Sequence, residues 1–184
     1  MTKRNAKSTF PIICAREGKL IAALMSAEPA LLDELTQRLT GLYGPLELRS
    51  SPYSFDDFSG YYMPEMGAGQ QKQFVSFAPM IAIERLPELK LTASALEQEY
   101  AVDGKRRINI DPGYVTHGQM VLATTKAFSH RIYMGQGIFA ELTYVCKGKE
   151  FMPMEWTYPD YREPFARDFF RQVREAYLRE VRER

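Results

Sequence analysis

Long apolar runs, paired cysteines and a dominant charge are all missing from this chain of 184 residues. No stretch approaches the roughly 20 apolar residues that a membrane-spanning helix needs, so no membrane association is expected. The two cysteines, Cys14 and Cys146, have neither CxxC spacing nor a neighbouring histidine. That excludes a zinc-finger pattern and a disulfide framework, and it predicts reduced thiols in a cytoplasmic protein. Lys plus Arg number 24 against 23 Asp plus Glu, a net charge of +1. A balance so close to neutral supplies no global field for a polyanion, so nucleic acid is an unlikely partner and any phosphate must be met by a local cluster.

Catalytic signatures are missing too. There is no GxxxxGK[ST] loop, no GxSxG elbow, no HExxH and no Ser-His-Asp order. These absences exclude an ordinary P-loop GTPase or ATPase, an α/β-hydrolase and a zincin-type metalloenzyme. No motif names a cofactor or a metal site, and no internal repeat or low-complexity tract is present. The apolar run from Phe10 to Ala15 is stopped by Arg16, Glu17 and Lys19, too short for a signal-peptide core. Residues 1–18 are therefore expected to be a flexible lead into a single domain spanning 19–184.

What the chain does have is alternating helix and strand patterning. "KLIAALMSA", Lys19 to Ala27, reads as a buried strand. Pro29 suits a first helical turn, and Leu31, Leu32, Leu35, Leu39 and Leu42 make one apolar stripe that Gly44 and Pro45 end. An extended segment follows Pro45, then a long loop, then a strand from Gln73 to Phe77. Leu86, Leu89, Ala93, Leu96 and Tyr100 return to helical spacing, and Arg106 to Ile110 reads as a further strand. The order β-α-β-β-α-β predicts an α+β fold, a ferredoxin-like split sandwich with an antiparallel sheet. A C-terminal hairpin, a short "EFMPM" segment and a last helix from Pro164, with Phe165, Phe169, Val173 and Tyr177 on one face, extend it.

The hairpin "TTKAFSHRIYMGQGIFAEL", Thr124 to Leu142, carries the most suggestive polar groups. Gly135-Gln136-Gly137 is its turn, since glycine accepts positive φ without steric cost. A two-residue loop sets His130 opposite Glu141, and a three-residue loop sets Arg131 there instead, so Glu141 meets a basic residue either way. Nearby in sequence, Asp111-Pro112-Gly113 reads as a turn closing the preceding strand, and Arg106 and Arg107 point to opposite faces of that strand. Arg106 or Arg107, Thr124, Lys126, Arg131 and Glu141 form a set suited to a small anionic ligand, with phosphate or a nucleotide as the natural example. Asp111 and His130 are the candidate proton carriers if a reaction occurs. A non-catalytic protein-interaction module, exposing Tyr61, Tyr62, Met63 and Met66, is the alternative, and RNA binding is the third reading. Neither the oligomeric state nor a cofactor can be read from these residues.

Two further stretches are loops of interest. "FDDFSGYYMPEMGAGQ", Phe55 to Gln70, has the length of a lid, with aromatics that can pack it down. "MEWTYPDYREP", Met154 to Pro164, reads as a packed aromatic connector. Together, "FDDFSGYYMPEMG", "KQFVSF", "RRINIDPGYV", "VLATTKAFSHRIYMGQGIFAEL" and "WTYPDYR" resemble, in order, a prokaryotic domain-of-unknown-function family numbered 4416. The likeness runs from about Lys19 to Tyr177. Some family members carry an automatic GTP-binding label, which implies a nucleotide ligand, but the family brings no assigned catalytic residues.

Overall fold

The structure is a computed structural model that describes residues 17–184. Cys14 and most of the segment expected to be flexible lie outside the described residues. Glu17 and Gly18, placed in that segment from sequence, instead belong to the first strand, where they face Ala82 and Ile81.

The described chain is α+β, with nine strands in one open antiparallel sheet and five helices. In chain order these are β1 (Glu17–Ser26), α1 (Pro29–Tyr43), β2 (Leu46–Arg49), β3 (Tyr53–Ser54), α2 (Met63–Met66), β4 (Gln71–Ala82) and α3 (Leu86–Glu99). There follow β5 (Ile108–Val115), β6 (Gln119–Thr124), β7 (Arg131–Gly135), β8 (Ile138–Lys147), β9 (Glu150–Pro153), α4 (Pro159–Arg162) and α5 (Pro164–Glu183). The strands lie in the order β2-β4-β1-β5-β6-β8-β7, with β3 beside β4 and β9 beside β8. No helix among the described residues is long and apolar enough to cross a membrane.

The central strand β1 is covered on both faces, which is why its sequence is a continuous apolar run and not an alternation. On one face Leu31, Leu32, Leu35 and Leu39 of α1 pack with Leu86, Leu89, Ala93 and Leu96 of α3 over Leu24, Val75 and Ile110. Each such buried leucine contributes roughly 1.5–3 kcal/mol. Leu42, expected in the α1 stripe, is exposed in the last turn of its helix. On the other face Phe169, Phe170 and Val173 of α5 meet Phe74, Tyr144 and Tyr161. Phe165, expected on the same buried face of α5, is half open to solvent and leans on the Tyr53 ring.

The sheet has a split, and the split positions the candidate site. β5 pairs with β1 along its whole length, from Lys19–Val115 to Ser26–Ile108. Its partner on the other side, β6, reaches only Gly113, Tyr114 and Val115. The expected turn at Asp111-Pro112-Gly113 is therefore corrected: all three residues lie inside β5. Pro112 stands where the strand has lost its β6 neighbour, so the amide hydrogen it lacks is not needed for a ladder there. At Gly113 the strands come so close that an added Cβ would lie 2.3 Å from the Val121 carbonyl oxygen. Proline and glycine, the usual signals of a chain reversal, here mark a strand that touches its neighbour and then parts from it.

Candidate functional site

Below the split the free edge of β5 is finished by side chains instead of a strand. The Ile110 amide donates to Glu97 Oε1 at 2.7 Å, and Lys90 Nζ donates to the Ile110 carbonyl oxygen at 2.7 Å. Lys90 and Glu97 stand two turns apart on the same face of α3, both buried, and Lys90 Nζ also reaches Asp111 Oδ1 at 3.2 Å. A buried backbone pair left unmatched would cost far more than an exposed one, so this pair stabilises the open edge.

The gap opens a recess of about 90 Å³, room for several water-sized groups. Lys72 and Asn109 floor it from β4 and β5, in one cross-sheet row with Met25 of β1. Thr124, Thr125 and Lys126 line it from the end of β6, and Glu141 from β8. Phe55 and Tyr62 cover it from the long loop, and Tyr158 and Tyr161 close it from the connector before α5. The loop is clamped at this position by Arg106, which donates through Nε and Nη2 to the two oxygens of Glu65 at 2.6 and 2.7 Å. Arg106 also donates to Asn109 Oδ1 at 3.0 Å.

Of the residues expected at a site, the structure brings Arg106, Asp111, Thr124, Lys126 and Glu141 to this one recess. Arg107 is elsewhere: it pairs with Glu28 on the outer surface through two hydrogen bonds. Arg131 and His130 stand behind Glu141 and do not line the recess. Arg131 Nε lies 2.7 Å and His130 Nε2 3.1 Å from Glu141 Oε2, and the imidazole stacks on Trp156 at 4.7 Å. Arg131 stands opposite Glu141, the pairing expected of a three-residue loop, but it is reached through a two-residue turn, Gln136-Gly137, and a register shift between Tyr133 and Gly135. Sequence reasoning missed Lys72, Lys90, Glu97, Asn109, Tyr62, Tyr158 and Tyr161. Lys90 and Glu97 did leave a signal, two charges set into the buried face of an otherwise apolar helix.

Charges in the recess are largely matched in pairs. Burial works to raise the Asp111 pKa, but the charges of Lys90 and Lys72 and hydrogen bonds from Asn109 and Lys90 outweigh it, so this carboxyl sits below its usual range. It is an acceptor and a charge anchor, poorly suited to carry a proton near neutral pH. Glu97 is shifted the other way, upward, because burial outweighs Lys90 and the Ile110 amide. Burial and the nearby Glu141 push the Tyr158 phenol up to about 12, which keeps it a neutral donor. Lys126 is the exposed cation of the group. Its ammonium bonds the Tyr61 hydroxyl at 2.7 Å and sits over that ring, without a carboxylate partner among the described residues. Glu141 Oε1 and the Tyr161 hydroxyl are buried without a hydrogen-bond partner. Among the described residues no group of three or more His, Cys, Asp or Glu is arranged to hold a metal ion.

A family profile described as "Domain of unknown function (DUF4416)" matches residues 16–177. The chain belongs to this family. The match spans every element that builds the recess, from β1 to most of α5, so the split sheet lies wholly inside the family domain. Comparison with curated proteins and with solved structures gave no match.

Proposed function

We propose that this family member is a cytoplasmic protein that binds a small anionic ligand, one carrying a carboxylate or phosphate group, in the recess at the split of the sheet. The carrying observation is the convergence of Arg106, Asp111, Thr124, Lys126 and Glu141 on one concave surface from three separate segments. Lys126, free of carboxylate partners, meets the ligand at the rim, and the Thr124 and Thr125 hydroxyls are donors beside it. Processing of the ligand is the further possibility of the same site. In it Glu97, with its raised pKa, is better suited to move a proton than Asp111, and His130 acts only through Glu141.

The fold belongs to the same reading. The order β2-β4-β1-β5, with α1 and α3 on one face, supports a ferredoxin-like half of one 19–184 domain, to which β6 to β9 and α5 are added.

The alternatives draw less support. Of the four residues that an interaction module would expose, Tyr61 and Met63 are exposed while Tyr62 and Met66 are half-buried. Tyr61 is held by Lys126 and Tyr62 covers the recess, which ties both to the site and not to an outer patch. RNA binding loses its free cations, because Arg106, Arg107 and Arg131 each engage a carboxylate.

A thermal-shift panel of inorganic phosphate, sugar phosphates, nucleotides and small carboxylates tests the reading. A ligand at 100 times its dissociation constant adds about 2.7 kcal/mol, a rise of several degrees for a chain of this size. At least one compound is expected to give that rise, and Lys126→Ala to reduce it. No rise with any compound, or equal rises in both proteins, refutes the proposal.

A further inference from the structure

Among the described residues three lysines are almost wholly buried, and two of them are saturated with oxygen. Lys19 Nζ has Ala78 O at 2.7 Å, Glu180 Oε2 at 2.8 Å and Glu47 Oε1 at 3.1 Å. Lys90 Nζ has Ile110 O, Asp111 Oδ1 and, at 3.7 Å, Glu97 Oε1. Lys72 differs. Among the described residues its ammonium has one oxygen partner, Asp160 Oδ2 at 2.7 Å, and is otherwise surrounded by the rings of Tyr161, Phe55 and Phe74 at 4.6, 4.9 and 5.9 Å. An ammonium carries three donors, and aromatic faces compensate its charge without accepting hydrogen bonds of ordinary strength.

Tyr161 lines the same recess, is 1% exposed, and its hydroxyl has no partner. Among the described residues the recess lining therefore includes one buried donor without a partner, the Tyr161 hydroxyl, and one that is only partly satisfied, the Lys72 ammonium. It also includes one buried acceptor without a partner, Glu141 Oε1. Buried polar atoms are normally paired, and two unpaired ones beside a partly satisfied ammonium, on residues lining a single cavity, point to a partner.

We propose that the floor of the recess is an oxyanion subsite, in which Lys72 Nζ and the Tyr161 hydroxyl hold the carboxylate of a small hydroxy- or amino-carboxylate whose own hydroxyl or amino group donates to Glu141 Oε1. This rests on the anionic-ligand reading and adds, beneath the Lys126 rim, a buried contact for the charged end of the ligand. A monoanion fits better than a phosphate dianion. Asp160 already neutralises the charge of Lys72, and Asp111 adds a second carboxylate near it, so each further negative charge is repelled. The cavity volume also suits a molecule of few heavy atoms.

The test is calorimetric titration of the full chain with acetate, glycolate and inorganic phosphate. Tyr161→Phe removes only the unpartnered hydroxyl and leaves the ring in place. Lys72→Met combined with Asp160→Asn removes both charges of the buried pair, so that neither is left alone. Glycolate is expected to bind more tightly than acetate, Tyr161→Phe to weaken both about tenfold, the value of a hydrogen bond to a charged group, and the double variant to abolish both. Equal affinities in wild type and Tyr161→Phe, with retained melting temperature, overturn the subsite. Phosphate binding that depends on Lys126 alone overturns it too, while leaving the rim reading intact. No binding of any probe, together with an inert thermal-shift panel, overturns both.

Discussion

Arg131 and Glu141 face each other directly across β7 and β8, with Arg131 Nε 2.7 Å from Glu141 Oε2 and both side chains almost fully buried. A cross-strand pair on a solvent face would contribute little, but this one is flanked by His130, Tyr158 and the Lys126 backbone, whose carbonyl accepts from Arg131 Nη1 at 2.9 Å. The pair holds Oε2 of the Glu141 carboxylate, while Oε1 is buried without a hydrogen-bond partner among the described residues. Arg131→Ala is expected to cost roughly 3 kcal/mol, because it leaves a buried carboxylate with His130 as its remaining ion-pair partner. Urea denaturation of wild type and variant measures this, and a loss under 1 kcal/mol would show that the pair behaves as an exposed one.

Gly113→Ala tests the split itself. The added methyl group meets the Val121 carbonyl oxygen, a backbone atom that cannot turn aside. A loss of about 2–3 kcal/mol or more is expected, with amide exchange accelerating first in β6. Unchanged exchange there would mean that the close approach is not rigid.

Glu97→Gln probes the capped edge of β5 by pH. The folded-state pKa of Glu97 is raised, so its protonated form is the one folding favours. That contribution is complete below the ordinary value of 4.5 and is lost as pH rises through the higher folded value. The glutamine variant keeps an acceptor for the Ile110 amide without the buried charge. It is expected to equal or exceed wild-type stability at neutral pH, with any advantage shrinking as pH falls toward 4.5. Melting curves across that range decide it, and an advantage that grows on acidification would refute it.

Asp111 predicts the opposite slope. Its pKa is lowered, so the stability it brings is present above the ordinary value of 3.8 and is lost as pH falls below it. Asp111→Asn is expected to destabilise the protein at pH 7 and to approach wild type in acid, as read by the same melting curves.

Lys126→Ala separates binding from stability. The lysine is exposed and contacts only tyrosines of the covering loop, so a change in stability within about 0.5 kcal/mol is expected. A larger loss in chemical denaturation would assign it a structural role in holding the loop.

The helical layer was legible because each stripe is local. Leu31 to Leu39, Leu86 to Leu96 and Phe169 to Tyr177 announce their buried faces through spacing alone. The hairpin was legible to within one register, which is decided by an irregularity between Tyr133 and Gly135 that side-chain chemistry does not announce. Asp111-Pro112-Gly113 was misread because local propensity cannot register that a neighbouring strand departs at that point. Arg106 and Arg107 were indistinguishable in sequence, and only the positions of Glu65 and Glu28 separate them. Lys72 and Tyr161 were invisible for the same reason, since they lie on opposite sides of the chain's length and meet only when α4 closes over β4.

The edge of β5 that Lys90 and Glu97 complete bounds the aperture without a ladder. A strand in that place would set the width by the fixed spacing of neighbouring strands, about 4.8 Å. Here two helix side chains, Lys90 and Glu97, stand in place of that strand and satisfy the Ile110 backbone by their own reach. That boundary of the recess is thus governed by side chains of a single helix.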